Sequence, residues 1–328
     1  MLLVFKVIIL IFALSSAASG NCGGEFNKFI EDIKKESREI GYTEEIVDAF
    51  FENVSLNPKV LEADRAQGIF LRPFNEFAPR LISEDRMYHG KKNLKKYSST
   101  FNEIENIFGV PRGVLTAFWA LETDFGAVQG NFNTLDALVT LAFDCRRPFL
   151  FRPQIFSALE LFSRNEFNPV TTKGAWAGEI GMVQMLPKDI LENGVDADGD
   201  GKVDLQSSTR DALFSAAKML NSLGWKANEP WLQEVTLTKK LDWFDTGTDK
   251  IKTVEEWTNL GINGKYTDLP DGSNNASLII PQGRKGPKFL AYSNFHVFFE
   301  WNKSFIYVLT AAHFANRLEG SPAFSPGN

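Results

Sequence analysis

A single carboxylate at the end of an apolar run is the first feature of the sequence that could do chemistry. In AFWALETDFG, residues 117–126, Glu122 follows aliphatic and aromatic residues. On a helix, Phe118 and Trp119 lie on the same face as Glu122 because they precede it by four and three residues. A carboxyl held against aromatic surface is desolvated, which raises its pKa and suits general acid catalysis. A solvated helix-end Glu has the same spacing, so this pattern alone leaves both interpretations open.

An acidic segment with two glycines is the second candidate. The segment begins with DADGDGKVD, residues 196–204. It has aspartates at alternate positions, Asp196, Asp198 and Asp200, and a glycine, Gly201, in the sixth place. This order matches the first half of an EF-hand calcium loop. Ser207 stands where the bidentate Glu is expected, so Asp211 would have to close a longer loop. The pattern predicts a structural calcium site over residues 196–211, and a solvated acidic turn is the alternative.

A glycine-rich segment, GAWAGEIGMVQMLP over residues 174–187, is the third candidate. Its glycines allow close backbone approach, and Trp176 and Gln184 are side chains that stack on sugars and hydrogen-bond to them. Glu179 could supply a second carboxylate. A glycine-rich turn before a helix is common, so the segment by itself is a weak signal. The three histidines are scattered, with no metal-ligand spacing.

The remaining sequence predicts a mainly helical α+β protein. Residues 23–223 have helical spacing of apolar residues, with Thr43 as a cap and a stop at Gly109. After Trp225, short segments punctuated by Gly, Pro, Asn and Asp indicate less regular strands and loops. FIYVLTAAHFANRL closes the chain as a helix, and residues 319–328 are expected to form a flexible tail. A net charge of −6 argues against nucleic acid as a partner.

The N-terminus predicts export. Residues 1–20 combine one Lys, an apolar run and small residues, which is typical of a cleaved signal peptide. The run is shorter than the roughly 20 residues that a membrane span needs, although an anchor is the alternative. The two cysteines, Cys22 and Cys145, suggest a disulfide in an exported chain, against the alternative of two free thiols. A lipoprotein anchored through Cys22 is a further alternative.

Five segments in this order resemble the MltB-like lytic murein transglycosylases, glycoside hydrolase family 103. They are FGVPRGVLTAFWALETDFG, GNFNTLDALVTLAFDCRR, GAWAGEIGMVQMLP, VDADGDGKVDL with RDALFSAAKML, and YSNFHVFFEWNKSFIYVLTAAHFANRL. The resemblance covers residues 22–318. It implies a lysozyme-like catalytic lobe with an inserted calcium loop, so that residues 21–318 form one catalytic domain. It also implies cleavage of the peptidoglycan β-1,4 bond between N-acetylmuramic acid and N-acetylglucosamine without water, leaving a 1,6-anhydro end.

The resemblance also assigns residues. The family's catalytic Glu, in the motif E-T-x-x-G, falls on Glu122. The substrate-contacting residues fall on Gln184, Trp301, Asn302 and Tyr307, in addition to Trp176. At Trp301 the family has Tyr, so we expect stacking to survive while the phenol's hydrogen bond is lost. The implied calcium ligands are Asp196, Asp198, Asp200, Lys202 and Asp211, and joint occurrence of the two cysteines in one branch of the family supports the Cys22–Cys145 disulfide.

Two other functions stay open from the sequence. A muramidase-type hydrolase would use Glu122 as the acid and Glu179 or Asp124 to activate water. A catalytically silent protein would only bind peptidoglycan. In each case we expect a periplasmic monomer that engages glycan strands, with cell-wall synthesis or remodelling proteins as further partners. No cofactor is expected for the chemistry beyond structural Ca²⁺.

Overall fold

The structure, a computed structural model, describes residues 22–66 and 73–325 of the chain. The predicted signal peptide therefore lies outside the described residues, as does the end of the predicted tail, residues 326–328. Within the described part there are fourteen α-helices and seven β-strands. Most helices precede Trp225 and most strands follow it, so the predicted mainly helical α+β class is confirmed.

Eleven helices precede Trp225. They are α1 (Phe26–Glu39), α2 (Glu44–Phe51), α3 (Pro58–Arg65), α4 (Phe74–Leu81), α5 (Glu84–Lys96), α6 (Ser98–Phe108), α7 (Arg112–Thr123), α8 (Thr134–Phe143), α9 (Pro148–Ser163), α10 (Pro187–Asn193) and α11 (Thr209–Ser222). The hydroxyl of Thr43 caps α2, and Gly109 ends α6 with a positive φ. Both ends were predicted from the sequence. A two-stranded antiparallel ladder joins β1 (Phe132–Asn133) to β2 (Lys173–Gly174).

Helix α7, which carries the catalytic candidate, runs through the main core. Its residues 113–120 are all buried, so the helix is enclosed on every side and shows no polar face. The last helix, α14 (Phe305–Leu318), packs along it. A Cβ at Gly113 would lie 2.9 Å from the carbonyl oxygen of Ala315 on α14. Glycine at this position therefore permits the close helix contact that also brings Tyr307 of α14 towards Glu122.

The section after Trp225 contains a five-stranded antiparallel sheet with a small core of its own. Its strands are β3 (Leu232–Leu237), β4 (Ile251–Thr253), β5 (Ile262–Gly264), β6 (Asn275–Ile279) and β7 (Lys288–Tyr292), in the order β4-β6-β7-β3-β5. Helix α12 (Val254–Asn259) places Trp257, which is fully buried, against the sheet. The indole N–H of Trp257 donates to the carbonyl oxygen of Ala276 at 2.9 Å.

This section is more regular than the sequence pattern predicts. Helix α12 lies inside a segment expected to form strand and loop, and its start is a capping box between Thr253 and Glu256. The T-x-x-E spacing in the sequence is the signal that could have identified it. Helix α13 (Ser293–Trp301), which follows β7 directly, was not predicted separately, whereas α14 matches its predicted bounds.

The first part of the predicted tail packs against the protein. The ring of Phe324 lies 4.6 Å from that of Phe74 between centroids, and its backbone N–H donates to Nε2 of His313 at 3.3 Å. Residues 319–325 therefore have packing partners, which differs from the flexible tail expected from residue 319. The apolar Phe324 supplies the physical reason, because its partly buried ring packs against the rings of Phe74 and His313.

Candidate active site and acidic loop

Glu122 lies in the last turn of α7, directly before a sharp reversal of the chain. Asp124 and Phe125 have φ values of 49° and 61°, a left-handed conformation that residues other than glycine seldom adopt. Such backbone strain clusters at functional sites. The carboxylate of Asp124 turns away to the surface, where it pairs with Arg86 at 2.5 Å. Asp124 therefore does not share the position of Glu122, as the spacing predicts.

Thr123 fixes the end of α7 against the glycine-rich segment. Its buried hydroxyl donates to the carbonyl oxygen of Met182 at 2.6 Å and accepts a hydrogen bond from the N–H of Gly126 at 2.9 Å. Because the neighbouring residue is Glu122, this link holds the carboxylate in a fixed relation to the segment that contains Gln184. Sequence reasoning did not assign Thr123, although the E-T pair in the motif contains it.

Two donors converge on one oxygen of Glu122. The hydroxyl of Tyr307 and the indole N–H of Trp301 both donate to Oε1, the latter at 3.1 Å. The ring of Trp301 stacks on Phe118, with centroids 4.5 Å apart. Oε1 is therefore occupied by protein donors, and Oε2 is the oxygen that is free to carry a proton.

The environment of Glu122 favours its neutral form. Burial is the largest influence and raises the pKa of the carboxyl to about 7. The hydrogen bonds from Tyr307 and Trp301 act in the opposite direction, while the charge of Glu179 raises the pKa further. Since burial prevails, the group keeps its proton up to neutral pH and can both give and take a proton there. The solvated helix-end interpretation is thus not what the structure shows.

The position of Trp301 differs from the expectation. We expected that replacing the family's Tyr would keep stacking on the sugar and lose a hydrogen bond. Instead, the indole supplies a hydrogen bond to Glu122 and the ring stacks on Phe118. Because Phe118 covers one face of the Trp301 ring, the main role of this side chain is to position the carboxylate of Glu122. Contact between Trp301 and a sugar stays a prediction.

The glycine-rich segment forms a tight turn beside α7. Its backbone is compressed, since a Cβ at Gly174 would lie 1.9 Å from the carbonyl oxygen of Glu179. Gln184 has a φ of 54°, and its amide nitrogen donates to the carbonyl oxygens of Gly181 at 2.8 Å and Gln129 at 3.2 Å. A ligand would therefore meet the side-chain oxygen of Gln184.

Trp176 and Asn302 occupy more peripheral positions. Trp176 is partly buried against the main core, which leaves part of its ring accessible. Asn302 ends α13, and its Oδ1 accepts a hydrogen bond from the N–H of Ser304 at 2.9 Å. The amide donors of Asn302 remain for other partners. Their contact with substrate, like that of Gln184, stays a prediction.

Glu179 is the second carboxylate near the site. Burial raises the pKa of this group, and Oε2 is buried without a hydrogen-bond partner among the described residues. The charges of Arg147 and Asp189 act on it in opposite directions. Its own charge acts on Glu122, so the structure brings together two carboxylates where the resemblance requires only one.

The acidic loop folds around Asp211 at the start of α11. This side chain is fully buried, and its two oxygens accept backbone hydrogen bonds from three loop residues: Ala197, Asp198 and Asp204, at 2.9, 3.3 and 3.0 Å. The predicted closing residue of the longer loop is therefore at its centre. Backbone donors stabilise the carboxylate and fix the course of the chain around it.

Three of the five predicted calcium ligands converge. Carboxylate oxygens of Asp196, Asp198 and Asp211 all lie within 4.8 Å of one another. Asp200 is not in this group, and its Oδ1 accepts the N–H of Lys202 at 2.9 Å. Lys202 could offer a cation only its main-chain carbonyl, because its ammonium group is a donor. The oxygen-only donor set is of the kind that Ca²⁺ prefers.

The two cysteines form the predicted disulfide. Cys22 and Cys145 are bonded, with Cα atoms 5.1 Å apart and a sequence separation of 123 residues. The alternative of two free thiols is therefore wrong. Because the sulfur of Cys22 is used in this bond, it is not free to carry a lipid thioether, which argues against the lipoprotein alternative.

Across residues 22–66 and 73–325, no helix has the length and apolar character needed to cross a membrane.

Comparisons with known proteins identify relatives along most of the chain. The family described as the transglycosylase SLT domain matches residues 25–316. The membrane-bound lytic murein transglycosylase B of Escherichia coli (strain K12) is 29% identical over 150 residues, which cover 45% of this chain and 41% of that protein. The matched region thus spans less than half the length of this curated relative.

Two solved structures share the fold. SltB3 from Pseudomonas aeruginosa, in complex with NAG-anhNAM-pentapeptide, is 30% identical with a TM-score of 0.87, covering 93% of this chain and 82% of that one. The Escherichia coli lytic transglycosylase Slt35 in complex with calcium is 22% identical with a TM-score of 0.77, covering 91% and 95%. The second likeness concerns the fold alone. From the family match over most of its length, this chain belongs to the transglycosylase SLT domain family.

Proposed function

We propose that the protein is a lytic transglycosylase that cleaves the β-1,4 bond between N-acetylmuramic acid and N-acetylglucosamine in peptidoglycan without consuming water. The observation that carries the proposal is Glu122, a carboxyl with a raised pKa whose Oε1 is held by Tyr307 and Trp301. The complex of SltB3 with NAG-anhNAM-pentapeptide supports the same chemistry, because that relative covers most of this chain.

Glu122 acts in two steps. It first protonates the departing glycosidic oxygen as the bond to C1 of the muramoyl residue breaks and positive charge develops at C1. The muramoyl 6-hydroxyl then attacks C1 and gives its proton back to Glu122, which restores the protonated enzyme. The proton travels through Oε2, since Oε1 is occupied by two donors. Tyr307 and Trp301 stabilise the carboxylate between the steps.

The nucleophile belongs to the substrate, so the reaction is intramolecular. Holding the 6-hydroxyl near C1 replaces the activation of a water molecule, and positioning supplies much of the rate. We include Trp176, Gln184 and Asn302 as sugar contacts. Their partly exposed side chains and the free oxygen of Gln184 support this assignment.

Mass spectrometry of digested murein tests the reaction. We expect fragments that end in 1,6-anhydro-N-acetylmuramic acid. Reducing ends in their place would overturn the lyase assignment and favour a muramidase-type hydrolase, the second candidate. Glu179 favours that candidate, because a second buried carboxylate near Glu122 could activate water. If the murein stays intact after incubation, the remaining hypothesis is a catalytically silent protein that only binds peptidoglycan.

We also propose that the acidic loop binds structural Ca²⁺. Asp196, Asp198 and Asp211 would supply carboxylate oxygens, with Lys202 contributing its main-chain carbonyl and Asp200 turning inward or binding through water. The converging carboxylates support this proposal, because a cation bound between them would offset the repulsion of three like charges so close together. The ion would fix the loop that leads into α11.

We propose a periplasmic location, which the predicted export and the disulfide support. Disulfides persist in oxidising compartments, so Cys22–Cys145 supports a periplasmic protein. We propose peptidoglycan glycan strands as the substrate partner. A monomeric state and an association with cell-wall synthesis or remodelling proteins are part of the same proposal.

A further inference from the structure

A groove of about 470 Å³ lies on the C-terminal section, far along the chain from Glu122. Its lining residues combine two aromatic rings with two cations: Lys240, Leu241, Asp242, Trp243, Phe244 and Arg284. Together with the exposed Lys285, we call this surface the basic-aromatic patch. None of these residues has a role in the chemistry proposed above.

One aromatic residue of the patch, Phe244, is unusually accessible, whereas Trp243 is partly buried. The side chain of Phe244 is 89% exposed, so its ring extends into solvent. The guanidinium group of Arg284 lies over the ring of Trp243, 5.2 Å from its centroid. This contact joins the turn that precedes β7, residues 281–287, to the segment at residues 240–245 between β3 and β4. The groove is therefore built by two chain segments that present cations beside an exposed apolar ring.

The charge of this region is opposite to that of the whole chain. Residues 238–252 and 281–289 contain seven basic and three acidic residues, a net charge of +4 in a chain whose net charge is −6. Two of the acids, Asp245 and Asp249, pair with lysines within the same region. At physiological ionic strength charges are screened beyond about 8 Å, so an approaching surface responds to this local positive charge.

We propose that the basic-aromatic patch docks on the surface of an anionic phospholipid bilayer. Phe244 would enter the boundary between headgroups and acyl chains, and Lys240, Arg284 and Lys285 would face the lipid phosphates. Complementary charge supports this partner. A bilayer also offers an apolar medium for a ring that is 89% exposed, whereas a hydrated polymer does not. The proposal does not depend on the reaction at Glu122.

Sedimentation with vesicles tests the proposal. The full mature chain is mixed with vesicles of phosphatidylglycerol and phosphatidylethanolamine, or of phosphatidylcholine alone. We expect binding to the anionic vesicles that weakens with added salt. Replacing two cations, in K240A/R284A, should lower the partition coefficient by about 30-fold, and Phe244→Ser should lower it by about tenfold.

Matched controls are available in the same chain. Phe149 is also 89% exposed, but its neighbours Arg146 and Arg147 are both paired with Asp64. Phe149→Ser should therefore bind like the parent, and so should K91A/K92A, which removes the same charge from α5. Thermal unfolding shows whether each variant folds.

Three results would overturn the proposal. Equal binding to neutral and anionic vesicles would exclude charge recognition. Unchanged binding by folded Phe244→Ser, or loss of binding in Phe149→Ser, would place the membrane contact elsewhere. Binding to isolated peptidoglycan that is lost in K240A/R284A, without vesicle binding, would assign the patch to the polymer.

Discussion

Glu122 and the acidic loop both depend on carboxyl groups, but the protein favours the protonated form at Glu122 and the charged form at Asp204 of the loop. At Glu122, burial outweighs two hydrogen bonds and keeps the group protonated up to about pH 7. In the acidic loop, burial also works against the charge of Asp204, but hydrogen bonds from Ser207 and from backbone N–H groups lower the pKa of this carboxyl. The balance between burial and hydrogen-bond donors decides which form of a carboxyl persists.

The two sites also differ in how they are built. The loop draws its donors from its own backbone over residues 196–211, so the local sequence contains most of the site. Glu122 draws its donors from Trp301 and Tyr307, which follow it by 179 and 185 residues. A local site can be read as a motif, whereas a site assembled across the chain depends on helix packing.

The largest expected effect follows from replacing Glu122. Glu122→Gln keeps the shape of the side chain but cannot transfer a proton, so the release of soluble fragments from murein should fall by about 10³-fold or more. Chromatography of the released fragments measures the loss. Asp124→Asn, which changes the neighbouring surface carboxylate, should remain active. Full activity of the Gln variant would contradict the catalytic role.

The same variant has a second, pH-dependent consequence. The pKa of Glu122 in the folded protein, about 7, exceeds its usual value of 4.5, so the stabilisation from its protonated form is complete below pH 4.5 and is lost as the pH rises through 7. At pH 8, Glu122→Gln should therefore unfold with a free energy higher by about 3 kcal/mol. Urea unfolding at pH 5 and pH 8 tests this, and an equal difference at both pH values would contradict it.

The acidic loop should affect the stability of the protein through calcium, and it should take no part in the reaction at Glu122. An ion bound only to the folded state at one hundred times its dissociation constant stabilises it by about 3 kcal/mol. Chelation should therefore lower the melting temperature by several degrees, and Asp211→Asn should abolish this sensitivity. Asp200→Asn, outside the converging group, should keep most of it. An unchanged melting temperature of the parent protein on chelation would contradict the calcium site.

Removing the donors to Glu122 should move its titration. Tyr307→Phe and Trp301→Phe each remove a hydrogen bond that lowers the pKa of Glu122, so the fall of kcat at high pH should shift upward, by about one pH unit for Tyr307. Trp301→Phe should give the smaller shift. Tyr292→Phe removes a buried hydroxyl that donates to Gln233 and should leave the profile in place. Unshifted profiles in both variants would show that these donors do not act on the reacting group.

The smallest effect is expected from Glu179. Its negative charge raises the pKa of Glu122, so Glu179→Gln should shift the fall of kcat to lower pH by a few tenths of a unit, which is the size of a weak charge interaction. The exposed Glu192→Gln is the matched control. If Glu179→Gln instead removed reducing-end products from the digest, Glu179 would be the residue that activates water.

Several parts of the fold could be predicted because their signals are local. The bounds of α14, the cap at Thr43 and the stop at Gly109 all follow from patterns within one or two turns. Helix α12 was missed because its six residues are too few to show a helical period, although its capping box was present. The packing of Phe324 on Phe74 has no local signal, which is why the tail was expected to be flexible.

The candidate site was predicted in part for the same reason. Resemblance to a family assigned roles to Glu122, Gln184 and Tyr307. It did not predict that Trp301 donates to Glu122, since the direction of an indole N–H depends on what its ring stacks against. Thr123 was missed because its partner, the carbonyl oxygen of Met182, lies 59 residues away.

The sequence by itself determined the helical class, the acidic loop motif, the cysteine pair and the position of the single candidate carboxylate. These depend on composition and on spacing within a few residues. Only the tertiary structure decided that Glu122 is partly buried with both donors on one oxygen, and that Glu179 acts on it. Burial and electric charge act through space, so the protonation state of Glu122 depends on segments that the chain brings together only when α7 packs against α14.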